Sequence, residues 1–154
     1  MTYQRILVPF DGSKYAKKAL EHAIGIARNN DAIIHLCTII TTGGVVPPGT
    51  LLGLIKESAR GTLQKRLLHA SKIETEQMQN EQVRFCKSKG VRAYPKVAIN
   101  GNVAEQILLM AKKKSADLIV IGSQGLCGVA KIKSLGSISR KVSEYASCPV
   151  LIVR

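Results

Sequence analysis

The sequence lacks tryptophan, and phenylalanine, tyrosine and tryptophan together make up only 4% of its 154 residues. Modules that bind single-stranded nucleic acid stack bases on aromatic side chains set among basic residues. Because the few aromatics here are not interleaved with the lysines and arginines, the sequence does not favour nucleic-acid binding.

Long apolar runs are also missing. No segment is long enough to cross a bilayer as a helix. The first residues lack the basic, apolar and small-residue order of a secretory signal. We therefore expect a cytoplasmic protein that makes no contact with a membrane.

Cysteine spacings typical of metal or redox sites are absent. The cysteines, Cys37, Cys86, Cys127 and Cys148, are widely separated and form no Cys-x-x-Cys pair. We interpret them as reduced thiols and predict no metal site. Cys127 lies in a glycine-containing loop, but without a nearby histidine it is not expected to be catalytic.

Acidic residues are scarce relative to basic ones. The chain has 10 Asp and Glu against 23 Lys and Arg, a formal net charge of +13. Such an excess implies attraction to polyanions, which include nucleotides, nucleic acid and acidic lipid headgroups. Charge alone does not choose among them. The run 112–114, three lysines, fits a solvated helix C-terminus, where cations suit the helix dipole.

The apolar residues that are present, 45% of the chain, suffice for one core, so we predict a single domain over residues 1–154. Hydrophobic periodicity and turn residues predict the element order. Strands are predicted at residues 4–10, 32–40, 91–99, 117–121 and 149–153. Helices are predicted at 13–30, 51–89, 102–114 and 137–146, with a break at Gly61 left open. Residues 41–50 are predicted to form a loop.

Alternation of strands and helices predicts an α/β domain, a doubly wound five-stranded parallel sheet with helices on both faces. Pro95 places the third strand at an edge or beside a bulge. In such sheets ligands bind beyond the carboxyl ends of the strands, where the strand order reverses. Residues 9–13 follow the first strand and residues 122–125 follow the fourth. If these two strands are neighbours, their loops face each other across one crevice.

A phosphate-binding arrangement is predicted near that crevice. Gly122 and Gly125 follow an apolar strand, and Gly136 and Ser137 open the last helix. Glycines let backbone N–H groups approach an anion, and a helix N-terminus adds unsatisfied N–H donors and a favourable dipole. Alternatively, these glycines only end a strand and permit a turn; their combined context favours binding.

Residues suited to catalysis are few. The sequence has no Walker Gly-Lys-Ser/Thr motif and no evident base near the glycines. Gln124 could orient a water molecule, but we interpret it as a solvent-facing loop residue. His22, His35 and His69 lie on separate elements, form no recognisable Ser-His-Asp arrangement and are interpreted as structural.

The sequence resembles the universal stress proteins, a nucleotide-binding branch of the adenine nucleotide α-hydrolase-like fold, over nearly its whole length. ATP-binding members carry a glycine, two residues, a second glycine, nine residues, and then Gly with Ser or Thr. This chain has ten residues between Gly125 and Gly136. The extra residue either bulges within 131–134 or displaces the phosphate-binding turn. The segments that carry the resemblance are 6–13, 116–126, 135–139 and 148–153.

The resemblance implies a set of nucleotide-binding residues. They are Pro9, Asp11, Thr38, Ile121, Gly122, Gly125, Gly136, Ser137 and Ile138. Pro9 and Asp11 would lie by the adenine and ribose, and the backbone near Thr38 would read the adenine edge. Asp11 could also serve as the N-cap of the first helix, a role compatible with binding.

The phosphate end of the implied site uses glycines and the last helix. By resemblance, Gly122 and Gly125 pass close to the ribose and phosphates. Gly136, Ser137 and Ile138 would hold the β- and γ-phosphates through N–H groups and a hydroxyl. Ser137 could instead be only a helix cap.

Cations near this site and a metal ion are secondary expectations. Lys131, Lys133, Arg140 and Lys141 flank the site in sequence and could neutralise phosphate charge or point to solvent. Magnesium is compatible with a bound triphosphate. Asp11 is the only carboxylate in these loops, so water and phosphate would supply most ligands to the ion.

The function predicted is that of an ATP- or AMP-binding stress-response regulator, a nucleotide-dependent switch or interaction module with ATP hydrolysis slow or absent. By resemblance we expect a homodimer through the last strand, 149–153, whose apolar edge pairing would protect. The apolar cluster at 51–55 is a second interface or a lid. Two alternatives stay open: a dimeric scaffold that has lost nucleotide binding, and a basic polyanion-binding module.

Overall fold

The computed structural model describes residues 2–41, 57–99, 101–126 and 135–154. Strands and helices alternate as predicted. In chain order the elements are β1 (Arg5–Pro9), α1 (Lys14–Asn30), β2 (Ile33–Ile40), α2 (Glu57–Ser88), β3 (Arg92–Ile99), α3 (Val103–Lys113), β4 (Leu118–Gly122), α4 (Ser137–Tyr145) and β5 (Val150–Val153). The element boundaries differ from the predictions by at most one residue wherever they can be compared.

The five strands form one parallel sheet in the order β3-β2-β1-β4-β5. The predicted doubly wound α/β fold is confirmed. β1 and β4 are central neighbours, and the strand order reverses between them, so the crevice expected for ligands in this fold lies at their carboxyl ends. β3 and β5 are the two edge strands, as the positions of Pro95 and of the last strand predicted.

Apolar side chains cover both faces of the sheet. On one face Ile6 and Val8 of β1 pack with the buried residues of α1. On the other face Leu7 packs with Ile107 of α3 and Val142 of α4. Alternate residues of one strand enter opposite cores, which is why β1 and β4 read as continuous apolar runs.

α1 forms because its alanines, leucine and isoleucine recur on one face, which is buried. Ser13 is its N-cap, and the Ser13 hydroxyl accepts a hydrogen bond of 3.2 Å from the N–H of Ala16. The alternative role of Asp11 as N-cap is therefore wrong. The helix ends at Asp31, which has a left-handed φ of 50°.

α2 continues through Gly61 without a break, and Gly90 follows its end with a φ of 76°. The first six residues of the helix predicted from residue 51 lie outside the described residues, as do most of the predicted 41–50 loop and the cluster at 51–55. Within the described part of the chain, no helix is long and apolar enough to cross a membrane.

Candidate functional site

A pocket of about 400 Å³ opens where the carboxyl ends of β1 and β4 meet. All of the predicted nucleotide-binding residues except Thr38 line this pocket. Two loops predicted to face each other, residues 9–13 and 122–125, form adjoining walls of it. The pocket also has an apolar wall that the sequence did not assign to the site. That wall contains Cys37, Ile39, Val103, Ile107 and Leu126, which lie beside the predicted Pro9 and Ile121.

Asp11 joins the two walls. One carboxylate oxygen, Oδ1, accepts a hydrogen bond of 2.9 Å from the N–H of Ser13. The other, Oδ2, accepts one of 3.1 Å from the N–H of Leu126, 115 positions away in the chain. Hydrogen bonds from N–H donors to a carboxylate are charge-assisted and therefore stronger than bonds between neutral groups. Asp11 thus fixes the position of the glycine loop relative to the turn after β1.

The glycines of this loop are required by close contacts. A Cβ at Gly122 would lie 2.7 Å from the carbonyl carbon of Tyr15 and 2.9 Å from the nitrogen of Ala16, both backbone atoms of α1. A Cβ at Gly125 would lie 2.8 Å from Oδ2 of Asp11. Gly122 therefore serves the packing of α1 against β4, whereas Gly125 leaves room for the carboxylate.

The N-terminus of α4 borders the same pocket. Gly136 is its N-cap and has no side chain to bond the first N–H groups of the helix. The N–H of Gly136 donates to the carbonyl of Ser123 at 2.8 Å, and the Ser139 hydroxyl lies 2.9 Å from that carbonyl. Despite the ten-residue spacing, Gly136 is therefore attached directly to the glycine loop. Ser137 is the first helical residue, so the alternative that it only caps the helix is wrong.

Thr38 lies behind the pocket wall. It is 7% exposed, and its hydroxyl donates a hydrogen bond of 2.7 Å to the carbonyl of Phe10. Its neighbours Cys37 and Ile39 line the pocket instead, because successive side chains of a strand point to opposite faces. The role of the backbone near Thr38 in reading adenine stays a prediction.

The remaining candidates are dispersed. Gln124 is half-buried and lines the pocket, so its interpretation as a solvent-facing residue is wrong. The Lys141 ammonium pairs with Glu105 at 2.9 Å, and Arg140 is exposed and does not line the pocket. Lys131 and Lys133 lie outside the described residues, as does Cys127.

The histidines do not meet at this site. His22 and His69 are exposed on α1 and α2, and His35 is half-buried on β2. Among the residues that the structure describes, no three His, Cys, Asp or Glu side chains are grouped so as to hold a metal ion.

Cys37 contributes a neutral thiol to the pocket wall. It is fully buried, and burial raises its pKa to about 12. A thiol with so high a pKa is a poor nucleophile at neutral pH, because the thiolate is the reactive form. Cys37 therefore acts here as a small apolar group.

Sequence reasoning missed the part of the site that α3 supplies. The sequence predicted a helix at 102–114 but assigned none of its residues to the site, and Val103 and Ile107 of this helix face the sheet. Their position near the N-terminus of α3, at the same edge as the glycine loop, also brings them into the pocket. The sequence feature that could have indicated this contribution is the helix start at Asn102, whose side chain accepts a hydrogen bond from the N–H of Glu105.

Sequence similarity to known proteins points to one family. The sequence profile described as "Universal stress protein family" matches residues 2–154. Universal stress protein YxiE of Bacillus subtilis strain 168 is 35% identical, with 99% of each chain covered. A universal stress protein of Thermus aquaticus is 34% identical, again with 99% of each chain covered.

Solved structures share the fold. Universal stress protein UspA from Lactobacillus plantarum superposes with a TM-score of 0.83 at 23% identity, covering 100% of this chain and 99% of its own. The universal stress protein from Archaeoglobus fulgidus in complex with dAMP has a TM-score of 0.66 at 21% identity and covers 100% of both chains. A universal stress protein in complex with cAMP has a TM-score of 0.62 at 22% identity, covering 100% and 98%.

Proposed function

The chain belongs to the universal stress protein family, and on that premise we propose that its pocket binds an adenine nucleotide, ATP or AMP, in a cytoplasmic regulatory role. The bound nucleotide acts as a switch that changes the interactions of the protein. Turnover of ATP is slow or absent. Complexes of related proteins with dAMP and cAMP support this choice of ligand class.

One observation carries the proposal: a single pocket joins an apolar wall to a helix N-terminus that no side chain caps. Ile39, Val103 and Ile107 offer a surface on which a flat aromatic base can lie. The first N–H groups of α4, beside Gly125, offer donors for phosphate oxygens. The base would thus contact the apolar wall, and the phosphates would contact the N-terminus of α4.

The carboxylate in the pocket favours binding over hydrolysis. Among the described residues that line the pocket, Asp11 is the one carboxylate, and each of its oxygens already accepts a backbone N–H. A general base must be able to take a proton from water. Asp11 instead holds two loops together. Magnesium accompanying a triphosphate would take its ligands chiefly from phosphate and water.

Titration calorimetry with AMP, ATP and GTP in the presence of magnesium tests the proposal. We expect both adenine nucleotides to bind and GTP to bind at least about tenfold more weakly, because the family resemblance assigns the backbone near Thr38 to reading the adenine edge. A folded protein that binds none of the three would contradict the proposal and favour the dimeric scaffold. Equal affinity for all three, with steep salt dependence, would favour a polyanion-binding module.

Ile138→Glu separates binding from folding. Ile138 is 38% exposed in the first turn of α4, at the pocket. A carboxylate there suits the helix dipole, so the fold should be kept. The same charge repels phosphate, so we expect ATP affinity to fall by about tenfold or more. Unchanged ATP binding would argue against phosphate at the α4 N-terminus.

Ser137→Ala tests the hydroxyl that the family resemblance assigns to the phosphates. We expect ATP to bind about threefold to tenfold more weakly and AMP to be nearly unaffected, because the hydroxyl would meet only the outer phosphates. Ser143→Ala is the matched control, since Ser143 lies on the same helix and its hydroxyl bonds the carbonyl of Arg140. Equal effects of the two substitutions would reject a specific role for Ser137.

A further inference from the structure

We propose that Gln79 of α2, acting through Thr38, is a positioning residue that holds the turn carrying Asp11 in the geometry needed for the ligand. This inference rests on the proposed nucleotide site. It concerns how a long helix outside the pocket sets the shape of the pocket.

Gln79 is an unusual side chain for its position. It is 1% exposed, in a helix whose described residues are otherwise mostly exposed or half-buried. Burying an amide is unfavourable unless it forms hydrogen bonds. Its Nε2 lies 3.0 Å from the Thr38 hydroxyl, 2.9 Å from the carbonyl of Lys96 and 3.2 Å from that of Leu36. The amide thus bonds to β2 and β3 together.

Thr38 links Gln79 to the turn after β1 by hydrogen bonds. A hydroxyl carries one proton, and that of Thr38 is donated to the carbonyl of Phe10 at 2.7 Å. Its oxygen is then oriented to accept from Gln79. The two bonds make a continuous chain from α2 to Phe10, the residue directly before Asp11. Hydrogen bonds in such a chain polarise and strengthen one another.

A second contact from the same helix turn reaches the same loop. The sulfur of Met78 lies 3.2 Å from the place that a Cβ on Gly12 would take. Gly12 has a φ of 81°, a conformation that favours glycine. Gln79 and Met78 therefore act on the residues on either side of Asp11, one by hydrogen bonding and the other by packing.

The position of Asp11 affects the shape of the pocket. Its carboxylate bonds the N–H of Leu126 in the glycine loop. A shift of the Phe10 carbonyl would move Asp11 and loosen this bond. Gln79 does not line the pocket, so its effect on the ligand is indirect and comes through the separation of the two walls.

The test uses Gln79→Met and Thr38→Val, which keep side-chain size but remove the hydrogen bonds. We expect each to weaken AMP binding, measured by calorimetry, by about threefold to tenfold. The double variant should lose less than the product of the two effects, because both act in one chain. Thr38→Ser, which keeps the hydroxyl, should recover most of the affinity lost in Thr38→Val.

Two controls separate positioning from general destabilisation. Gln77→Met makes the same change at an exposed site on the same helix. Ile34→Val removes a methylene group at a fully buried site on β2 and should lower thermal stability without affecting the chain of bonds. Both should bind AMP like the wild type. A loss of affinity in Ile34→Val equal to that in Gln79→Met would overturn the proposal.

A ligand-free measurement keeps the inference independent of the proposed function. The amide exchange rate of Leu126, measured by NMR, should rise by about threefold or more in Gln79→Met and Thr38→Val but not in the controls. If the wild type binds no adenine nucleotide, the proposed function fails and this rate alone decides the positioning role. Wild-type exchange and wild-type AMP affinity in both variants would refute it.

Discussion

At Gly122 the absence of a Cβ allows α1 to pack closely against β4. A Cβ there would lie 2.7 Å and 2.9 Å from backbone atoms of α1, which cannot move as a flexible side chain can. Gly122→Ala should therefore lower the free energy of unfolding by about 1–3 kcal/mol or more, measured by urea denaturation. The loss of stability would appear even without ligand, so any side chain at Gly122 would affect folding as well as nucleotide binding.

Gly25 provides the matched control for that substitution. It lies on the exposed side of α1, and nothing would lie within 4 Å of an added Cβ. Gly25→Ala should raise stability by about 0.5–1 kcal/mol, because alanine favours a helix more than glycine does. If both substitutions had the same effect, close packing at Gly122 would not be the reason for that glycine.

His35 should make stability depend on pH. Burial lowers the pKa of His35 from 6.5, and the positive charges of Lys114, Lys96 and Arg5 lower it further. Its ring lies 6.3 Å from that of Tyr94. Below about pH 6.5 the unfolded chain takes up a proton at this histidine that the folded protein resists. Stability is therefore fully present above that pH and falls as the pH decreases toward the lowered value.

Thermal melts between pH 5 and 8, compared for the wild type and His35→Gln, test this expectation. The wild type should lose more stability toward acid than the variant. His22→Gln, a change at an exposed site on α1, should keep the wild-type dependence. Identical pH profiles for wild type and His35→Gln would show that the histidine does not contribute.

At the scale of elements, β5 is the edge strand through which the family resemblance predicts a homodimer. Leu151 is 37% exposed on it, and Tyr145, at the end of α4, is 62% exposed. An apolar edge strand with unpaired backbone groups tends to associate. The proposed homodimer through this strand would cover both features.

Leu151→Lys should therefore produce a monomer, because charged residues on an edge strand oppose pairing. Sedimentation velocity measures the change directly. Leu109→Lys is the control, since Leu109 is 45% exposed on α3 rather than on the edge strand, and it should leave the dimer intact. A wild type that sediments as a monomer, or a dimer unaffected by Leu151→Lys, would contradict the proposed interface.

At the scale of the whole molecule, basic residues accumulate at the end opposite the pocket. Strand starts and helix ends meet there, and Arg92 bonds Asp31 across it at 3.5 Å while Arg5 bonds the carbonyl of Ser115 at 2.7 Å. We call this surface the basic pole. Its exposed cations are Arg5, Arg28, Lys87, Lys89, Arg92, Lys112 and Lys113.

The basic pole predicts salt-dependent binding to polyanions that does not compete with nucleotide. Heparin chromatography should show retention at low salt, unchanged by saturating AMP, because the pole and the pocket lie at opposite edges of the sheet. Substituting Lys112 and Lys113 by glutamine should lower the salt needed for elution. The same change at Lys14 and Lys17, at the start of α1, should lower it less. Elution shifted by AMP would mean that heparin occupies the pocket.

Much of the site could be predicted from the sequence, because its glycines lie where short-range patterns mark the end of a strand or the start of a helix. Gly122 and Gly125 end a buried apolar run, and Gly136 and Ser137 begin an amphipathic helix. The full set of proposed ligand residues came from the family resemblance, and all of them except Thr38 line one pocket. The Thr38 side chain lies behind the pocket wall while Cys37 and Ile39 line it, and the predicted role of the backbone near Thr38 stays a prediction.

The sequence by itself determined the element order and the parallel sheet, since periodicity and turn residues act within a few residues, and Pro95 confined β3 to an edge or to the side of a bulge. Tertiary structure alone decided which residues bridge those elements. Gln79 and Thr38 are 41 positions apart, and Asp11 and Leu126 are 115 apart. Their pairing depends on how helices pack on the finished sheet. No local pattern encodes that packing, so the geometry of the pocket emerged only with the fold.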